Sequence, residues 1–377
     1  MPEVLVTGAD GFVGSHLVDY LASHGYTVRA MDLRETPKNI SPSYLKYGVV
    51  EYTQADLTNP ESLKPLVDGV DVVFHPAALF NLCISPDKLW EVNVNGTLKL
   101  CKEASRAGVK RLINWSSSTV YGAWLDSDEE GNPRKAVEDD FSSRGDRTIN
   151  EYAHSKRKQE IRAHATYNLE NDLRITTVRP ANIYGRGTSM GLAFPLKNIK
   201  KGLLKRPPAI RDENGEYIQA YSSQVHVDDV VRAAVFLANT PEAVGKHYNL
   251  AEDTPISMDE LFDLGCRLLG KERKEGYDNP IAMKIPAYLF SGIAKARNLL
   301  AHIFTFGRLK TRWYPLFDAE SVELMVKHHV LDNSKIRSLG FKFEHDIRNS
   351  LEAIVKHHEE TGWKEIPMFK REPAKIG

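Results

Sequence analysis

Val4-Leu5-Val6-Thr7-Gly8-Ala9-Asp10-Gly11-Phe12-Val13-Gly14 begins as a short β-branched apolar run and ends in three glycines spaced G-x-x-G-x-x-G. A turn of that spacing lets backbone N–H groups and a helix N-terminus meet a pyrophosphate. The triplet alone is weak evidence, and its surroundings supply the weight. Behind it Phe12, Val13, Leu17, Val18 and Leu21 recur at helical spacing until Gly25 stops them. Tyr26 to Met31 then reads as a second strand. Strand, glycine turn, helix and strand open an α/β fold, a Rossmann-type doubly wound parallel sheet. Gly8, Gly11, Phe12, Val13 and Gly14 are its expected pyrophosphate turn.

The alternation continues outward. Val49 to Thr53, Asp71 to His75, Arg111 to Ser116 and Leu173 to Arg179 read as strands, and Lys88 to Ala107 and Glu151 to Asn168 as helices. The polar stretch at 125–150 breaks the rhythm and reads as an insertion, either a lid or a passive loop. After about Gly185 the pattern is disturbed by Gly187, Pro195, Gly202, Pro207 and Pro208. The expected organisation is a cofactor-binding domain over 1–185, then at 186–377 mainly a substrate-binding region with elements returning to the core.

Asp32 closes the second strand, where a carboxylate accepts from both adenosine ribose hydroxyls and repels a 2′-phosphate. NAD is therefore expected over NADP. Arg34 is the counter-signal, because an arginine there can hold that phosphate. Asp56, with Leu57 after the third strand, is placed either to meet the adenine amino group or to cap the helix starting near Pro60.

Lys+Arg and Asp+Glu are 50 each, so the net charge is zero, which argues against a nucleic-acid binder working through bulk charge. With 42% hydrophobic residues the chain has material for a large core. Three widely spaced cysteines indicate neither a disulfide framework nor a metal site, so a reducing cytoplasm is expected and no metal. No basic leader precedes the first strand, and no apolar run reaches membrane-spanning length.

Tyr152-Ala153-His154-Ser155-Lys156 is Y-x-x-x-K, which on a helix puts a lysine ammonium beside a phenol. A neighbouring cation lowers a phenol's pKa toward use as an acid or base. Ser116, Ser117, Ser118 and Thr119, before Val120-Tyr121-Gly122, bring hydroxyls to the carboxyl end of a strand, where such sheets hold ligands.

Together these residues resemble the extended short-chain dehydrogenase/reductase family, the NAD-dependent epimerase/dehydratase group. The resemblance also includes His75-Pro76-Ala77-Ala78, Asn93-Val94-Asn95-Gly96-Thr97, Arg179-Pro180-Ala181-Asn182-Ile183-Tyr184-Gly185 and Val225-His226-Val227-Asp228-Asp229. It implies Tyr152 as catalytic acid/base and Lys156 as the residue that lowers its pKa and holds the nicotinamide ribose. It implies Ser117 as the catalytic hydroxyl, with Ser118 the fallback. Ser116, Ala77, Ala78, Asn93, Pro180 and Ile183 would line the cofactor; Ser118, Thr119 and Asn182 would face a small-molecule substrate. A homodimer pairing the helices of Lys88 to Ala107 and Glu151 to Asn168 is the family's habit.

The family divides by substrate. Asn182 suits the nucleotide-sugar branch, yet that branch's diphosphate-binding arginine, four residues before His226, is Ser222 here. Arg186 or Arg211 would have to substitute. The apolar helical run Ile285, Leu289, Ile293, Ala296, Leu300 and Phe304, followed by Trp313, Tyr314, Leu316 and Phe317, looks like the 3β-hydroxysteroid dehydrogenase branch, where such an element covers a lipid-like substrate or touches a membrane. The expected activity is hydride transfer at a hydrophobic alcohol or ketone, the alternatives being a nucleotide-sugar 4-epimerase or a non-catalytic NAD-binding sensor. Ser118-Thr119 stand where a dehydratase carries an acidic pair, which disfavours dehydration. His328-His329 and His357-His358 are adjacent pairs, which on a helix point apart, so neither looks like a zinc pair; Asp228-Asp229 reads as a helix cap, and Arg157 and Lys158 as a solvated face.

Overall fold

The computed structural model describes residues 2–81, 83–122, 132–143, 150–168, 173–189, 191–203, 205–206, 210–211, 217–274, 276, 280–305 and 319–363. Residues 125–131 and 144–149 of the 125–150 stretch, together with Pro207, Pro208, Trp313, Tyr314, Leu316 and Phe317, lie outside these residues.

The glycine turn joins β1 (Glu3–Thr7) to α1 (Phe12–Ser23), and β2 (Thr27–Asp32), α2 (Pro42–Lys46), β3 (Val50–Gln54) and α3 (Pro60–Val67) follow. The chain then crosses to β4 (Val72–His75), α4 (Pro86–Trp90), α5 (Thr97–Arg106), β5 (Arg111–Trp115), α6 (Asp140–Ser143), α7 (Glu151–Ala163) and β6 (Arg174–Pro180). After β7 (Asn182–Tyr184) and α8 (Ala193–Lys200) come the hairpin β8 (Ile210–Arg211) and β9 (Tyr217–Ile218), then β10 (Tyr221–Ser222), β11 (Gln224–His226), α9 (Val227–Ala238) and β12 (His247–Leu250). The chain closes with β13 (Ile256–Ser257), α10 (Met258–Leu268), α11 (Pro280–Phe304), α12 (Ala319–Met325), α13 (Ser334–Ser338) and α14 (Ile347–Thr361).

Seven strands form one parallel sheet in the order β12-β6-β5-β4-β1-β2-β3. The order reverses between β1 and β4, and the crevice at their carboxyl ends is where such a sheet binds ligands. Side chains along β1 alternate between two cores. Val4 and Val6 join Leu17 and Val18 of α1 and Val230 and Leu237 of α9. Leu5 joins Leu63 of α3, Leu100 of α5 and Ala163 of α7. Both faces are thus covered, as a parallel sheet requires.

A smaller apolar layer, with Leu196 of α8, Leu264 of α10 and Leu351 of α14, meets Tyr184 beyond β6. The chain is helical from Pro86 to Arg106, as expected over Lys88 to Ala107, but not α-helical throughout. A π-helical turn, Glu91–Gly96, separates α4 from α5. At its end a Cβ on Gly96 would approach the Leu57 Cβ to 3.1 Å. The described part of the 125–150 stretch lies on the core. Ala136 is fully buried and bonds Val330 and Asp332, and the Glu138 carboxylate accepts the Asn249 N–H at 2.8 Å.

Candidate active site

The glycine turn is closed by contacts that leave no room for side chains. Gly8 has φ +61°, and a Cβ there would lie 2.8 Å from the Ala77 Cα. A Cβ on Gly14 would lie 2.0 Å from the Gly8 carbonyl oxygen, so α1 rises directly from the turn. Gly11 is its N-cap and supplies no side-chain bond, which leaves the first N–H groups of the helix for an anion.

Asp32 and Arg34 are organised by a residue that sequence reasoning passed over. Asp10 is fully buried inside the turn. Its backbone N–H donates to the Asp32 carboxylate at 3.1 Å, and its own carboxylate accepts from the N–H groups of Lys38 and Asn39 and from the Arg34 guanidinium. Arg34 is therefore already paired, and the Asp32 carboxylate stands beside it. That arrangement favours a free ribose over a 2′-phosphate. One oxygen of Asp56 accepts from the N–H and hydroxyl of Thr58, whereas Asn59 caps α3, so Asp56 does not cap that helix. Leu57 is buried beside it.

Beneath the turn a buried polar chain runs across the sheet. Thr7 meets His75 at 2.7 Å, His75 meets Thr97 at 2.8 Å, and Gln159 of α7 bonds both Thr97 and Asn114. Burial pushes the His75 imidazole down to about 3, so the ring is neutral. Ala77 and Ala78 follow β4, Ala77 in the wall against Gly8.

Asn150 caps α7 by accepting the Ala153 N–H, which sets Tyr152 and Lys156 on consecutive turns. The Tyr152 ring is half-buried with the Phe80 ring centroid 4.3 Å away. Burial holds its phenol above the ordinary value. Lys156 is 1% exposed, and its Nζ has no hydrogen-bond partner among the described residues. Burial lowers it to about 7, and Glu160, one turn further on, acts in the opposite sense. Ser116 likewise buries an Oγ without a partner there. Such orphaned polar groups at the carboxyl end of the sheet fit a hydroxyl-rich ligand.

Glu160 anchors that side of α7. Burial opposes its ionisation, but the Arg179 guanidinium, bonded through Nε and Nη2, outweighs this and holds the carboxylate below its usual range. Arg179 also donates to the Tyr121 hydroxyl at 2.7 Å. Arg157 is no solvated residue: it is buried, its guanidinium 4.0 Å from the centroid of the Phe141 ring.

Ser117 caps a short 3₁₀ turn, Ser118–Tyr121, which packs against α7. Its Oγ accepts from the N–H and the hydroxyl of Thr119, which leaves its own proton to donate outward. Ser118 points elsewhere: it is buried and bonds His329 Nε2 at 2.8 Å. The His328-His329 pair is not helical. It follows α12 in an extended strap whose backbone bonds Tyr221 and Ser223, and burial keeps the His329 imidazole neutral, down to about 4.

The Asn93 side chain is fully committed: it bonds both backbone groups of Leu79 and the Ser155 hydroxyl, pinning the loop after β4 to α7. Pro180 ends β6, and β7 pairs with β11 so that Asn182 lies opposite Gln224 and Ile183 opposite Val225. Asn182 is exposed and donates to the Ser222 hydroxyl at 3.0 Å. Asp229 is buried under the N–H groups of Glu344 and His345, while His226 caps α9. His226, Asp228 and His345 come close together, but the two imidazoles stack at 4.0 Å with planes 13° apart, so their in-plane lone pairs do not converge on one ion.

The model of the NAD dependent epimerase/dehydratase family matches residues 4–251. The chain belongs to that family. Within it the chain is an NAD-dependent enzyme, and the glycine turn, the Asp32 carboxylate and the orphaned Lys156 ammonium suit the cofactor of the family's name. A 3 beta-hydroxysteroid dehydrogenase/Delta 5-->4-isomerase of Mycobacterium tuberculosis is 30% identical over 69% of this chain and 67% of its own. Cinnamoyl-CoA reductase 1 of Petunia hybrida is 26% identical over 98% of this chain and 96% of its own. The UDP-glucose 4-epimerase of Thermus thermophilus, solved with NAD, superposes with a TM-score of 0.65 at 20% identity, covering 95% of this chain and 99% of that one. At that identity the likeness is one of fold.

Proposed function

We propose that this protein is an NAD-dependent dehydrogenase for a hydrophobic, steroid- or lipid-like secondary alcohol or its ketone. One observation carries the substrate class. Where nucleotide-sugar relatives place an arginine for the diphosphate, Ser222 is 6% exposed, with its hydroxyl bonded to Asn182 and Gln224. A buried, committed hydroxyl does not replace a guanidinium fork.

In this reading Tyr152 takes the carbinol proton as the carbon is oxidised and returns it in the reverse direction. Ser117 donates its remaining proton to the reacting oxygen. Lys156, whose fall by burial Glu160 opposes, binds ribose hydroxyls. Bound NAD would supply the hydride-accepting nicotinamide. Asp32 holds the adenosine ribose and Asp56 the adenine amino group. Cys83, Cys101 and Cys266 are all buried, which suits a reducing cytoplasm. Ile161, 40% exposed on α7, supports a homodimer through α5 and α7.

The test is NADH formation with hydrophobic secondary alcohols, 3β-hydroxysteroids among them, against UDP- and dTDP-sugars. Turnover is expected with the former. Turnover or thermal stabilisation by sugar nucleotides alone would sink the lipid-like reading. The second reading, a nucleotide-sugar 4-epimerase, draws on the exposed Asn182. A third, a non-catalytic sensor, is ruled out if turnover is found and Tyr152→Phe abolishes it.

A further inference from the structure

Asp10 is the one acidic residue of the glycine turn, and its carboxylate organises the loop that follows β2. Its Oδ1 accepts from the N–H groups of Lys38 and Asn39, at 2.7 and 2.6 Å. Its Oδ2 accepts from Nη1 of Arg34 at 2.5 Å, and its backbone carbonyl accepts from the same nitrogen and from the Asn39 amide. From the other side the Tyr52 hydroxyl of β3 donates to the Arg34 carbonyl at 2.7 Å. The Asp10 side chain has no exposed surface, whereas that of Arg34 is 53% exposed. The acid cannot turn away from the guanidinium without leaving two backbone N–H groups unsatisfied.

Asp32 belongs to the same cluster. One of its oxygens accepts the Asp10 N–H and the other the Arg34 N–H, at 3.1 and 3.2 Å. Each oxygen keeps a lone pair for a ribose hydroxyl. Asp10, Asp32 and Arg34 together carry one net negative charge, and Glu35 and Lys38 in the same loop are exposed and of opposite sign. A 2′-phosphate brings roughly two further negative charges. Neutralising Asp32 alone would leave Arg34 balanced by Asp10, with no net positive charge to attract that phosphate. Burial makes Asp10 the counter-ion that salt screens least.

We propose that Asp10 is a positioning residue for cofactor choice: it holds the loop's arginine against the glycine turn and so keeps it from a 2′-phosphate. Asp32 is then not the sole determinant of the preference for NAD. The proposal is independent of the substrate reading, because cofactor binding is measured without substrate.

The experiment is calorimetric titration of the full chain with NAD and with NADP. Wild type should bind NAD far more tightly than NADP. Asp32→Ser should lose NAD affinity while its NADP affinity stays weak. Adding Asp10→Asn keeps an oxygen for the Lys38 and Asn39 N–H groups but turns an amide NH₂ toward Arg34. NADP affinity should then rise roughly tenfold or more, and adding Arg34→Ala should abolish the gain. In the Asp32→Ser background alone, Arg34→Ala should leave NADP affinity about where it was. That comparison leaves the buried Asp10 untouched, so it holds even where the Asp10 variant does not fold. An NADP affinity of Asp32→Ser that already falls roughly tenfold on loss of Arg34 overturns the proposal. So does a folded Asp10→Asn/Asp32→Ser variant with no gain, or a gain that survives Arg34→Ala.

Discussion

Tyr152 is where chemistry and binding separate. Its hydroxyl is the only group lost in Tyr152→Phe, and the ring that packs on Phe80 remains. Turnover should fall by about 10²–10⁴, the usual worth of a positioned acid/base, with NAD affinity by calorimetry close to wild type. Retention of most of the rate would remove Tyr152 from the mechanism. His329 acts at one remove. It bonds Ser118, next to Ser117, and its other ring nitrogen meets the Gly122 carbonyl at 3.0 Å. His329→Ala leaves the Ser118 hydroxyl buried without its partner, a cost of about 1–3 kcal/mol. It should lower kcat more than it raises KM, because the 3₁₀ turn that aims Ser117 loosens. An equal rise in KM with kcat untouched would show that the strap serves only substrate binding.

At the scale of elements, the glycine turn makes the sharpest claim. In Gly14→Ala the new methyl would meet the Gly8 carbonyl oxygen at 2.0 Å, so either α1 or the turn must move. Overpacking of this kind costs about 1–3 kcal/mol, and NAD affinity should fall with it in a calorimetric titration. Wild-type affinity in the folded variant would place the dinucleotide elsewhere. That turn could be read in the sequence because strand, glycines and helix are contiguous. β1 and β4 were readable for a similar reason: both faces are buried, so each shows as an apolar run, whereas β12, His-Tyr-Asn-Leu, carries no such run. The Tyr152–Lys156 spacing also announces Glu160, one more turn along, and only the habit of stopping at the tyrosine–lysine pair hides it. The His329–Ser118 bond had no such local signal, since its partners are 211 residues apart. Asp10 was hidden for another reason: its carboxylate is satisfied by backbone N–H groups, which sequence patterns do not encode. The π-helical turn at Glu91–Gly96 escaped because an apolar periodicity of 3.6 runs through it almost unchanged.

At the scale of the whole molecule, Glu252 fastens the carboxyl-terminal layer to the parallel sheet. It follows β12, its backbone N–H bonds Gln224, and its buried carboxyl accepts from the Tyr184 hydroxyl and from the Ile347 N–H at the start of α14. Burial raises this carboxyl from 4.5 to about 7. Below about pH 4.5 the folded and unfolded chains both carry its proton, and above about 7 both have lost it. Between these limits the folded chain binds more protons, so its stability must fall as pH rises, by about 3 kcal/mol at most. Glu252→Gln keeps the acceptor oxygen and cannot ionise. Melting temperatures measured from pH 4.5 to 7.5 should therefore decline more steeply for wild type than for the variant, the gap opening across the window in which Glu252 ionises. Parallel curves would mean that the carboxyl is already ionised in the folded protein. The link between sheet and substrate layer would then be an anion held by Tyr184 and the α14 N-terminus.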